Sequence, residues 1–435
     1  MPLQALARLR DEILAERLDT ILPRLMEETD TDMWIVIGDE YNEGPTVPSF
    51  LPSSFFHARR RALFVFLRDG RRYIVSRPDF TIGRFYEPIL LRPPGLDIDA
   101  FYGTFATSYD LETIRALPEE DEWQRLERLV QEIDPRTIAV ETSPETAFAD
   151  GLSKSNFDRL SAALGDTYRD RLVSSAALTV RWLESRTDRE IDLFRQVLAK
   201  TREIIAWLYS REGITPGRTT LGEARFSMME RGYRLGMVPW FDATVWARRA
   251  GAAHIDDDDE VIRPGDVLHC DVGFCYGGLC SDVQEMAYID NPDDPHNAET
   301  IARLEEIHRT ALQVMDATAA QFAGGRTGNQ VLADALAASR EAGVARPMVY
   351  SHPTGLFGHG PGPTIGHFGN QEFVEGSGEN RIHDRTCYAL ELNVREPVAT
   401  WDDLTIMYGQ EIDVVFRDGV VEYPAGRQES LHIVR

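Results

Sequence analysis

The sequence predicts a two-domain chain: an α/β domain over residues 1–175, a connecting helix at 176–186 and a second domain over 187–435. Three observations lead there. Short apolar runs alternate with helical patterns through the first part of the chain. The pattern changes near Ser185, where Thr187 followed by Glu190 has the spacing of a capping box. A chain of 435 residues, at roughly 100–200 residues per domain, has room for two or three cores.

Met1–Asp30 carries charges every few residues instead of a basic tip and an apolar run, so it reads as a surface helix and not as a leader segment. Strands are expected at Met33–Ile37, Ala62–Leu67, Tyr73–Ser76 and Thr137–Glu141, each bounded by Gly, Asp or Arg. Between them, Trp123, Leu126, Leu129, Val130 and Ile133 fall on one face of a helix over 120–133. After Thr187 the apolar set Ile191, Phe194, Val197, Leu198, Ile204, Ile205 and Leu208 continues a helix to about Ser210. No Pro/Ser-rich linker separates the domains.

The formal charge of −25 repels phosphate backbones and anionic lipid, which argues against nucleic acid or a membrane as partner. No run approaches the eighteen apolar residues of a membrane-spanning helix, and the chain is expected to be cytoplasmic. Cys270, Cys275, Cys280 and Cys387 match neither a disulfide framework nor a CxxC zinc site and are expected to be buried free thiols.

The chemistry concentrates in the second domain. Residues 261–290 read as a hairpin, with strands Val267–Phe274 and Gly278–Ile289. A turn centred on Tyr276–Gly277 sets Asp271 opposite Asp282. Like charges directly opposed in a hairpin are destabilising, so a cation between them is expected, the bland alternative being a shifted register with both aspartates as ordinary edge charges. Further on, the glycine-dense stretch 351–370 holds His359, and Glu391 and Glu411 sit in apolar strands where a buried carboxylate is costly without a partner. Asp413 shares the face of Glu411 and is the alternative to it. Four carboxylates, Asp271, Asp282, Glu391 and Glu411, balance two divalent cations. With one imidazole among oxygen ligands, Mn²⁺ is favoured, with Co²⁺, Zn²⁺ or Fe²⁺ as further options.

This order resembles the pita-bread metallopeptidases of family M24, in the branch of Xaa-Pro aminopeptidase, prolidase and creatinase. The ordered set Asp271, Asp282, His359, Glu391 and Glu411 carries the resemblance, with the eleven-residue step between the aspartates and His254 seventeen residues before the first of them. The resemblance covers about 187–435. It implies a creatinase-like N-terminal domain, an α+β pita-bread catalytic domain, and homodimers acting on small peptides. The implied activity is that of a metallo-exopeptidase, an Xaa-Pro aminopeptidase or dipeptidase working through a metal-bridging hydroxide. Asp271 would then chelate one ion, Asp282 and Glu411 would bridge, and His359 and Glu391 would complete the shells. Glu391 would handle the proton of the attacking water, His254 would steady the carbonyl or the intermediate, and His367 would contact the substrate or leaving group.

Three positions depart from the family pattern. Glu285 stands where an arginine commonly follows the second aspartate, and Gly409 replaces an arginine two residues before the last glutamate. His367 lies eight residues after His359, where relatives show seven. These departures motivate the alternative of a non-peptidase member acting on a small amide, amidine, ester or sulfonium substrate. Elsewhere the bland readings are preferred. The acidic run 256–260 is a solvated loop, His352 either lines the pocket or is a loop histidine bonded to backbone, His269 is a core or supporting histidine, and Arg59, Arg60 and Arg61 form a charged strand edge.

Overall fold

The computed structural model describes residues 1–76, 84–102 and 110–435. The chain divides into two compact units, Met1–Leu183 and Glu184–Arg435. The helix Ala176–Glu184 thus falls almost wholly within the first unit.

In the first unit a six-stranded sheet runs in the order Glu87–Leu90, Arg72–Ser76, Arg61–Leu67, Met33–Asp39, Ile138–Val140, Leu172–Ser174. Met33–Asp39 pairs antiparallel with Arg61–Leu67 and parallel with Ile138–Val140. Its alternating residues fill two cores: Met33, Ile35 and Ile37 pack with Leu126, Val130 and Leu160, while Trp34 meets Phe50 and Phe66 on the other side. The helix Glu122–Ile133 begins at Asp121, which accepts from the backbone of Trp123 and Gln124. Arg61 pairs with Asp39 at the strand edge. The N-terminal helix is less superficial than its charges suggest. It continues from Leu3 to Glu28 through a π-helical turn, and buries Leu14, Leu18, Ile21, Leu22, Leu25 and Met26 at three- and four-residue steps.

In the second unit the capping box at Thr187 forms: its hydroxyl accepts from the Glu190 N–H and the Glu190 carboxylate from the Thr187 N–H. It opens the helix Asp188–Leu208. A nine-stranded sheet follows the path Met348–Thr354, Thr386–Val398, Leu404–Arg417, Val283–Ile289, Val267–Val272, Thr244–Arg249, Ala252–Ile255. Val420–Glu422 and His432–Val434 pair beside this path. Leu268, Cys270, Leu390, Leu392, Ile412 and Val414 point to one face and join the core with residues of Asp188–Leu208, Asn297–Ala319 and Gly328–Glu341. The other face is free to carry polar side chains.

Two expectations about the hairpin are corrected. Its turn is Gly277–Gly278, both in the left-handed region (φ 65° and 94°), as a two-residue turn that follows strand twist requires. Asp271 therefore pairs with Gln284 and not with Asp282. The same register sets Cys275 opposite Cys280, and these two form a disulfide; only Cys270 and Cys387 are buried free thiols.

One buried acid stands out in the first unit. Glu141 is 1% exposed and neither carboxylate oxygen has a hydrogen-bond partner. Burial pushes it from an ordinary 4.5 up to about 8. Between those values it is protonated in the fold and ionised in the unfolded chain, so folding stability declines as pH rises through that window. The expected outcome is that Glu141→Gln gains stability over the parent at pH 8 and little at pH 5, measured by denaturant titration. Parallel pH profiles for the two proteins would contradict it.

Candidate metal centre

Strand register arranges the polar face in transverse rows. One row reads Thr244, Asp271, Gln284, Glu411, Glu391, Tyr350, each residue paired with the next across neighbouring strands. A second row, two residues along, contains Asp413, Ala389 and His352, and Asp282 joins it by donating its backbone N–H to Asp413 Oδ2 at 2.8 Å. Paired positions in a sheet bring side chains within about 5 Å. Four strands, with Asp282 and His359 just outside strands, thus gather ligand atoms from residues far apart in the chain. Three triads, Asp271–Asp282–Glu411, His352–Glu391–Glu411 and Asp282–His352–His359, each hold their ligand atoms within 4.8 Å of one another.

Asp282, Glu411 and His352 are buried, and Asp271 and Glu391 half-buried. Burial raises Asp271, Asp282, Glu391 and Glu411 above the usual carboxylate range, and neighbouring carboxylates add to the rise at Asp271, Asp282 and Glu411. Asp271 Oδ1, Asp282 Oδ1 and Glu411 Oε1 are buried without hydrogen-bond partners. Orphaned acceptors are rare in native interiors, and acceptors that all face one another require a donor or a cation.

His352 makes the choice sharper. Its Nδ1 lies 3.2 Å from the Pro353 carbonyl, which can only accept, so Nδ1 carries the proton and Nε2 a lone pair. That Nε2 stands 3.7 Å from Asp282 Oδ2 and 3.8 Å from Glu411 Oε1. Burial and the adjacent His359 hold the ring neutral, with its pKa near 3. A neutral imidazole whose other nitrogen is anchored to a carbonyl is the arrangement of a metal-bound histidine. The donor set of carboxylates and imidazole thus fits divalent metal.

His359 belongs to the third triad and lies at its exposed rim, its ring 4.5 Å from His352 and 5.0 Å from Trp240, whereas the remaining two histidines of the predicted set sit further out. Trp240 donates its indole N–H to the Ser281 carbonyl at 2.8 Å and is seated against Gly358 and Gly273, where any Cβ would fall 2.1 Å from it. His367 is exposed, 5.5 Å from the Tyr350 ring, and outside the triads. His254 is on the edge strand, 5.2 Å from Trp246, with its Nε2 3.4 Å from Asp256. The seven-residue step that the resemblance implies falls between His352 and His359.

Sequence reasoning left Gln284, Tyr350 and Trp240 unassigned and kept His352 open. Gln284 accepts from His269 Nε2 at 2.9 Å, and its hydrogen bond lowers Glu391. Strand alternation, two residues on from Asp282, was the signal available for it. The departures find local reasons. Glu285 points to the opposite face, where Arg202 and His432 pair with it. A Cβ at Gly409 would lie only 3.3 Å from both partners of the His269–Gln284 bond.

The model of metallopeptidase family M24 matches residues 192–418, more than half of the chain and every residue of the three triads. This chain belongs to metallopeptidase family M24. Among solved structures, the M24 chain is similar to the X-Pro aminopeptidase from Thermotoga maritima MSB8, at 18% identity and a TM-score of 0.62, over 94% of this chain and 100% of that one. It is also similar to the Xaa-Pro dipeptidase from Bacillus anthracis, at 17% identity and a TM-score of 0.59, over 97% and 99% of the two chains. The N-terminal domain of FACT complex subunit SPT16 from Cicer arietinum aligns at 11% identity and a TM-score of 0.59, over 98% and 99%. At these identities the likeness shows the fold, the pita-bread fold with its N-terminal domain. A comparison with curated proteins gives no match. Among the described residues, no helix of this M24 chain is long and apolar enough to cross a membrane.

A site made of buried carboxylates should be stabilised by any divalent ion that binds only the folded state. Mn²⁺ at 100 times its Kd should add about 2.7 kcal/mol to folding stability. A chelator should reverse the rise in thermal midpoint, and a midpoint indifferent to both additions would contradict this account of the site.

Proposed function

We propose that this chain is a metal-dependent exopeptidase that hydrolyses short peptides near the N-terminus, as an Xaa-Pro aminopeptidase or dipeptidase, with two divalent ions held by Asp271, Asp282, His352, Glu391 and Glu411. The observation that carries this reading is the pair of adjacent rows in which buried carboxylates and the lone pair of His352 face one another. It differs from the sequence expectation in placing His352 among the ligands and moving His359 to the substrate side. Mn²⁺ remains the preferred metal, because four of the five ligands are carboxylates.

The chemistry such ions supply when bound is acidification of water and polarisation of a carbonyl oxygen. The chain's own groups do the rest. Glu391, half-buried between Glu411 and Tyr350 in the row and held by Gln284, takes the proton of the attacking water. Tyr350, pushed up to about 12 by burial and by Glu391, stays a phenol and offers a hydrogen-bond donor beside it. His359, on the rim and steadied by Trp240, contacts the scissile carbonyl or the leaving amine. His254 and His367 flank the cleft and act on the substrate further from the bond that breaks. Asp413 serves as the acceptor that fixes the Asp282 backbone.

Protein stripped by chelator and reloaded with Mn²⁺ should cleave members of an Xaa-Pro peptide panel. Inactivity across a broad panel, with metal demonstrably bound, would count against the reading. The ligand assignment has its own test. His352→Ala should lose at least one bound ion by elemental analysis, whereas His359→Ala should keep its metal and lose turnover by roughly 10²-fold or more. The reverse pattern would return His359 to the ligand set.

A further inference from the structure

Arg59, Arg60 and Arg61 stand together in an acidic chain, and the metal centre uses none of them. Within the first unit they line a cavity of about 490 Å³ together with Arg159 and Trp123. A space of that size suits a small-molecule ligand. Arg61 is occupied: its guanidinium pairs with Asp39 and Glu122 and lies 5.3 Å from the centre of the Trp123 ring. Arg59, Arg60 and Arg159 are exposed, and among the described residues none of the three side chains has an ion-pair or hydrogen-bond partner. The two acids of the lining are already engaged. Glu122 is the partner of Arg61, and Asp121 accepts from the backbone N–H groups of Trp123 and Gln124 where the helix Glu122–Ile133 begins. In a chain of net charge −25, three unpaired guanidinium groups around one cavity concentrate the opposite sign.

The backbone that carries two of them is held in place. Arg60 lies in the left-handed region, at φ 68°, which a residue other than glycine adopts at a cost. Its N–H donates to Glu40 Oε2 at 3.2 Å, and its carbonyl accepts from the Glu40 N–H at 2.7 Å. Glu43 Oε1 accepts from the Ala58 N–H at 3.1 Å. Two glutamates thus fix the main chain around Arg59 and leave its arginine side chains unneutralised. The rest of the lining is apolar, with Val75, Leu91 and Pro93 joining Trp123.

We propose that this cavity binds a nucleoside diphosphate, its phosphates on Arg59, Arg60 and Arg159 and its base against Trp123 and the apolar residues beside it. With a terminal phosphate of roughly −1.5 to −2 at pH 7 and an inner one of about −1, a diphosphate presents close to three charges to three guanidinium groups. Planar guanidinium forks match phosphate oxygens two at a time. An aromatic platform adds a preference for a ligand with a planar ring over a bare anion.

The test is calorimetric titration of the full chain with ADP, GDP, CDP and UDP, and with pyrophosphate as the bare anion, each with and without chelator. At least one nucleotide should bind one to one in both conditions, roughly tenfold more tightly than pyrophosphate. Arg59→Gln and Arg159→Gln should each weaken that binding roughly tenfold, with unchanged circular dichroism and unchanged Mn²⁺ content. Absence of binding by all four nucleotides overturns the proposal. So does pyrophosphate bound as tightly as nucleotide, which marks a site for the bare anion. Binding that chelator abolishes places the phosphates at the metal centre and also overturns it, as does an affinity that neither substitution changes. Tighter binding of a polyglutamate peptide than of any nucleotide makes the surface a contact for an acidic protein segment and removes the nucleotide site.

Discussion

Repulsion among buried carboxylates is the constraint around which the second unit is organised. Asp271, Glu411 and Glu391 share one row of the sheet and Asp282 and Asp413 meet in the next, with no lysine or arginine in the triads. Left alone, such a set would take up protons or push the strands apart, since the desolvation of each ion costs several kcal/mol. The strands nonetheless pair through the first row, and the sheet's apolar face is closed by the helix Asn297–Ala319 and its neighbours. Positive charge between the rows would reconcile the two facts.

The rows also explain the division of labour among neighbouring groups. Asp413 is spent on the Asp282 backbone, Gln284 links His269 to Glu391, and the Pro353 carbonyl fixes which nitrogen of His352 faces inward. Each of these holds a candidate ligand in orientation without itself entering a triad. Glycines at 273 and 358 admit Trp240, so that the rim histidine His359 has a wall to rest on. The same alternation that gathers carboxylates at one level sets Arg248 and Arg395 two steps further on.

Much of this was legible in the chain itself. Glu391 and Glu411 announced themselves as acids inside apolar strands, Thr187 and Glu190 as a helix start, and the Asp271–Asp282 hairpin as a place of excess charge. What escaped depended on register or on distance. Moving the turn from Tyr276–Gly277 to Gly277–Gly278 changes which residue Asp271 faces and brings Cys275 against Cys280. His352, followed by proline, looked like a loop residue, yet it lies within a strand whose pairing with Ala389 sets its level. The charged surface of Met1–Asp30 masked an apolar stripe that packs inward.

The central claim is that divalent ions hold the two rows together, and locating those ions tests it most directly. Crystals of the Mn²⁺-loaded protein should give an anomalous difference map with two peaks, each about 2.0–2.2 Å from oxygens of Asp271, Asp282, Glu391 or Glu411, and one of them within that distance of His352 Nε2. A map from fully loaded protein with no peak between the rows, or with the ions bound elsewhere, would contradict the account.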